Sequence, residues 1–174
     1  MTADGFVMSL HARGPARDPV HEGDLYAFLI GDWDMEVTTH SERGESFHAK
    51  GEIHAGWVLE GRAIQDVWMI PRAGNTAFPI AGNWYGTTLR IHDPAIDAWR
   101  IFWIDPATNN FRQQVGRREA DAIVQLGKTE NGALARWSFV DVTADSFSWR
   151  AEASRDDGAT WRRLIDIRAT RRSG

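Results

Sequence analysis

From Trp33 onward, apolar and polar side chains alternate in runs of about five to ten residues, and Gly, Pro, Asn or Asp breaks each run. Such alternation belongs to strands, which send successive side chains to opposite faces; a helix repeats every 3.6 residues instead. The runs are Trp33–His40, Ser46–Val58, Leu59–Ile70, Trp84–His92, Trp99–Asp105, Phe111–Arg117, Ile123–Gly127, Leu134–Asp141, Ser146–Ser154 and Thr160–Thr170. Turn-forming residues separate them at Pro71–Asn75, Asp93–Pro94, Asp105–Asn110, Lys128–Gly132, Thr143–Asp145 and Asp156–Gly158. Glu22–Ile30 has helical spacing, with Leu25, Phe28 and Leu29 on one face and Gly31 as its stop. Residues 1–20, punctuated by Gly5, Gly14, Pro15 and Pro19, keep no period and read as a flexible arm. The connections are short and sequential. They predict one all-β domain over residues 21–172, a closed antiparallel up-and-down barrel of about eight to ten strands after a short N-terminal helix. A barrel of that size can enclose a small ligand.

Alternation also sorts candidate lumen residues. Arg62, Ile64, Asp66, Trp68 and Ile70 share one strand face. Thr88, Arg90 and His92 share another, and Trp99, Ile101, Trp103 and Asp105 a third. Phe147, Trp149, Ala151 and Ala153 oppose Ser148, Arg150 and Glu152. For Thr88–His92, and for Arg136, Ser138 and Val140 opposite Trp137 and Phe139, alternation leaves open which face meets solvent.

Composition narrows the class. In 174 residues there is no Cys, which removes disulfides, thiolate metal sites and cysteine nucleophiles. The net charge of −4 argues against a nucleic-acid partner. No apolar run reaches membrane-spanning length and no secretory block opens the chain, so the expected compartment is cytoplasmic. Nine Trp stand against two Tyr. Trp33 reads as a barrel plug, Trp161 as hairpin packing, and Trp57, Trp84, Trp99 and Trp137 as wall or exterior packing. Trp68, Trp103 and Trp149 are the lumen candidates. Five arginines crowd the last strand and tail: Arg162, Arg163, Arg168, Arg171 and Arg172. They suit either an anionic ligand or a solvated strand face.

Phe28-Leu29-Ile30-Gly31-Asp32-Trp33 resembles the G-x-W opening of lipocalin-like, or calycin, barrels. The remainder resembles the uncharacterised bacterial lipocalin-like domains of the DUF1579 type. The matching pieces are Glu60–Arg62, Leu89–Pro94, Trp99–Pro106, Asp145–Trp149 and Ser154–Trp161, and the resemblance covers roughly residues 22–170. It implies the barrel, with a helix plugging one end and the Trp packed across it, but no agreed activity. The related nitrobindin-like barrels bind haem through a late His. This chain has no His after His92, so no cofactor is expected. No His pair has metal-ligand spacing either, so no metal is expected.

Three functions follow from one lumen. The first is binding of a small apolar or aromatic molecule, with Arg62, Trp68, Arg90, Trp103 and Trp149 as ligand-binding residues. The second is cofactor-free acid–base chemistry on such a ligand (isomerase, cyclase or lyase), with Asp66 and His92 as catalytic residues. The bland alternative for Asp66 is a strand-face ion pair with Arg62. The third function is a non-catalytic interaction module whose core is filled by side chains. Neither nucleic acid nor membrane is an expected partner, and a homodimer is compatible with all three.

Overall fold

The structure, a computed structural model, describes residues 3–17, 25–71, 83–129 and 131–173. Helix α1 (Ala3–Leu10) leads into a short strand β1 (His11–Ala12). A 3-10 turn follows at Ala27–Leu29, and then ten strands: β2 (Gly31–His40), β3 (Ser46–Val58), β4 (Ala63–Ile70), β5 (Trp84–Asp93), β6 (Ala98–Asp105), β7 (Asn110–Glu119), β8 (Ala122–Lys128), β9 (Leu134–Val140), β10 (Ser146–Ser154) and β11 (Arg162–Arg171). Each pairs antiparallel with its sequence neighbour. β11 returns to β2, with Ile167 opposite Val37, and closes the barrel. The sheet therefore has no free edge along these ten strands.

Three local details differ from the sequence expectation. The arm contains α1, and β1 pairs with β3 at Trp57 and Val58. Of the expected helix Glu22–Ile30, residues 22–24 lie outside the described residues and the rest forms the 3-10 turn. The strand expected from Leu59 starts at Ala63, because Leu59, Glu60 and Gly61 adopt positive φ and turn the chain.

Alternation divides the barrel wall cleanly. Ile64, Asp66, Trp68 and Ile70 of β4 are buried inside, as are Thr88 and Arg90 of β5. Of the late arginines, Arg163, Arg168 and Arg172 lie on the outside. Arg163 pairs with Asp166 and Glu152, and Arg172 with Asp34 and Glu52. The acid-rich start of the barrel and its arginine-rich end meet because β11 pairs with β2. Among the described residues no helix is long and apolar enough to cross a membrane.

Candidate functional site

One end of the barrel is closed by aromatic packing. Tyr26, Leu29 and Trp33 are fully buried there. Trp33 Nε1 donates to Leu29 O at 2.8 Å, and its ring meets Phe147 edge-on at 4.8 Å. Arg171 lies 4.1 Å over the Trp33 ring and donates to the carbonyls of Phe28, Ile30 and Ala144. The last strand thus pins the 3-10 turn across the opening. Gly116 makes room for Tyr26: a Cβ there would lie 2.2 Å from the hydroxyl oxygen. Gln125 Nε2 donates to that hydroxyl at 3.0 Å. Burial pushes the Tyr26 phenol up to about 12, with the Arg90 cation and the Gln125 hydrogen bond pulling the other way.

Above this floor sits a buried ion pair. Arg90 donates through Nη1 to Asp66 Oδ2, and Thr88 N donates to Asp66 Oδ1 at 3.1 Å. The two side chains are 2% and 0% exposed. The register makes the pair: Asp66 lies opposite Thr88 and Ile64 opposite Arg90, so the charged residues are diagonal neighbours on the inner face. The Arg90 guanidinium also lies 5.1 Å from the centre of the Tyr26 ring.

The next layer is a cage of tryptophans. Trp84, Trp103, Trp137 and Trp149 form a closed circuit, each ring centre 5.4–6.1 Å from the next at interplanar angles of 61–82°. Trp68 joins through Trp149 at 5.5 Å. Within the circuit these are edge-to-face contacts, an arrangement that aromatic pairs prefer. Gly86 is required here, because a Cβ would lie 2.5 Å from the Trp103 ring. The cage surrounds a cavity of about 210 Å³, which Thr88, Arg90, Asp105, Arg112 and Ile165 also line. Towards the hairpin ends, a second cavity of about 470 Å³ shares Asn110, Arg112 and Leu164 with the first and adds Arg155 and Arg162. Inner cage and arginine-lined mouth are therefore contiguous.

Of the residues singled out from the sequence, Trp68, Arg90, Trp103 and Trp149 line the cavity. Asp66 lies behind Arg90, with both carboxylate oxygens engaged. Its partner is Arg90 from the adjacent strand and not Arg62. Arg62 is placed differently from expectation: it ends the β3–β4 turn, 51% exposed, 3.9 Å from Glu60. The positive-φ turn interrupts strand alternation just before it. His92 keeps the inward parity of Arg90 but belongs to the closed end, its ring 5.7 Å from Trp99 and its Nε2 4.0 Å from Asp97. Asp66 and His92 do not meet at the cavity. Trp84 and Trp137, read as wall packing, complete the cage. Trp84 shares the parity of Thr88 and Arg90, a signal sufficient to place it once that face is known to be internal. Asp105 also lines the cavity, but its carboxylate accepts from Ala107 N, Thr108 N and Thr108 Oγ1. Among the described residues no group of His, Asp and Glu is arranged to hold a metal ion.

No family model and no curated protein matches the chain. Solved structures do. The S-type phycobiliprotein lyase CPES from Guillardia theta superposes with a TM-score of 0.59 at 10% identity, over 87% of this chain and 92% of that one. Rv2717c from M. tuberculosis superposes with a TM-score of 0.59 at 10% identity, over 90% of this chain and 99% of that one. The likeness is one of fold, the closed antiparallel β-barrel.

Proposed function

We propose that the barrel binds a small, flat, apolar or aromatic molecule between the tryptophans of its lumen. The observation that carries this reading is the tryptophan circuit around the cavity of about 210 Å³. A core built for stability alone is packed to crystal-like density. Five indoles around open volume instead offer large apolar area and stacking faces. One structure of the same fold is a phycobiliprotein lyase, which is consistent with small-molecule work inside such a barrel. The DUF1579-type resemblance read from the sequence, which no family model supports, implies no activity, so the reading rests on the cage.

Acid–base chemistry finds less support. It needs a carboxylate or imidazole able to take a proton from the guest. Asp66 is occupied by Arg90 and Thr88, and His92 packs at the other end of the barrel. The test is a tryptophan-fluorescence titration of the full chain with anthracene-2-carboxylate. Saturable one-to-one quenching, with affinity at least tenfold weaker in Trp149→Ala, is expected. Non-saturable quenching, or a Trp149→Ala variant that folds and binds equally well, overturns the proposal.

A further inference from the structure

Two side chains on the cavity wall carry N–H groups that the protein itself leaves unused. Trp68 Nε1 and Arg90 Nε are buried and have no hydrogen-bond partner. Both residues are more than nine-tenths buried, and both line the cavity. A buried donor without an acceptor costs its full desolvation, so such groups call for an explanation. An occupant that accepts a hydrogen bond supplies one. Among the described lining residues Asn110 Oδ1 is the comparable orphaned acceptor, and an amide can present either of its ends.

Charge decides what kind of acceptor fits. Arg90 is already neutralised by Asp66 inside the barrel. A second carboxylate pushed against that pair would put two buried negative charges on one guanidinium, an expensive arrangement. A neutral carbonyl oxygen avoids this and can still accept from such an N–H group. The mouth has the opposite character. Arg112, Arg155 and Arg162 line it, and no Asp or Glu is among its described lining residues. Among the described residues, Glu42 pairs with both Arg155 and Arg162, at 2.9 and 3.7 Å. The Arg155 and Arg162 side chains are 76% and 44% exposed, where a carboxylate keeps much of its hydration and gains charge-assisted hydrogen bonds.

We propose that the ligand is a planar conjugated carbonyl compound with an acidic substituent. Its carbonyl oxygen enters first and accepts from Trp68 Nε1 or Arg90 Nε, its ring system lies in the tryptophan cage, and its carboxylate stays at the arginine mouth. This inference rests on the lumen-binding reading above and adds polarity and orientation to it.

Three matched probes separate the parts: anthraquinone-2-carboxylate, anthracene-2-carboxylate and 2-methylanthraquinone. Affinities are measured by calorimetry on the full chain. The quinone acid is expected to bind at least tenfold more tightly than either probe lacking one polar group. Trp68→Phe keeps a ring and deletes the N–H. It should weaken the quinone acid severalfold more than it weakens anthracene-2-carboxylate. Arg155→Ala with Arg162→Ala should weaken both acids, remove most of their salt dependence, and leave 2-methylanthraquinone unchanged. If no probe binds, the lumen-binding reading itself fails. If the probes bind with equal affinity and Trp68→Phe alters none of them, lumen binding stands and the proposed polarity is overturned. If the arginine variants spare both acids, the acidic end is wrong.

Discussion

The Asp66–Arg90 pair makes a sharp energetic prediction. Both side chains are withdrawn from water, and Asp66 accepts from Arg90 and from Thr88 N. In Asp66→Ala the guanidinium stays buried without its counter-ion. Breaking a buried pair from one side costs about 3–5 kcal/mol, whereas replacing both members by apolar groups of similar volume is often neutral or stabilising by about 1–4 kcal/mol. Asp66→Ala should therefore destabilise the barrel by about 3–5 kcal/mol. The double variant Asp66→Leu/Arg90→Met should be at least as stable as the parent, yet bind carbonyl probes more weakly. The assay is equilibrium urea unfolding followed by tryptophan fluorescence, with probe binding measured on the same samples. A double variant that loses as much stability as Asp66→Ala would refute the reasoning, because the pair would then support the fold and not the ligand. So would a loss below about 1 kcal/mol in Asp66→Ala, the scale of an exposed pair.

Other residues carry further predictions. Trp33→Ala removes a fully buried indole from the closed end and should cost about 3–5 kcal/mol in urea unfolding; a loss below about 1 kcal/mol would show that it does not hold the plug. The Tyr26 phenol is raised from 10.0 to about 12, so the folded barrel holds its proton more tightly than the unfolded chain. This contribution is fully present below pH 10 and is lost as pH rises through about 12, on the order of 2–3 kcal/mol in all. Tyr26→Phe should flatten that alkaline slope, and an unchanged slope would contradict the assignment. Gly86→Ala places a methyl carbon 2.5 Å from the Trp103 ring, so the indole must move. Overpacking of this kind costs about 1–3 kcal/mol, and flat probes should bind at least tenfold more weakly. Unchanged affinity would show that Trp103 does not contact the guest.

Period-two patterning alone makes the barrel legible in the sequence. Ser46–Val58 and Ser146–Ser154 match their strands residue for residue. Local pattern fails where the backbone leaves the strand: three positive-φ residues at Leu59–Gly61 move Arg62 out of the inner face. Face assignment is half legible. Parity groups Thr88 with Arg90 and opposes Trp137 to Arg136, but polar residues on one face suit a lumen and a solvent face equally. Only closure of β11 on β2 settles which side is interior. The Asp66–Arg90 pair depends on register between β4 and β5, which strand pattern does not encode. The tryptophan circuit needs residues from four strands to converge, and no spacing along the chain records that.

The most direct test is a crystal structure of the full chain saturated with anthraquinone-2-carboxylate. One molecule is expected within the barrel, its rings in stacking contact with at least two of Trp84, Trp103, Trp137 and Trp149. Its inner carbonyl should lie within about 3.2 Å of Trp68 Nε1 or Arg90 Nε. A probe bound only on the outer wall, or a lumen in which the indoles close on one another and exclude it, would contradict the claim that this barrel is a ligand-binding cage.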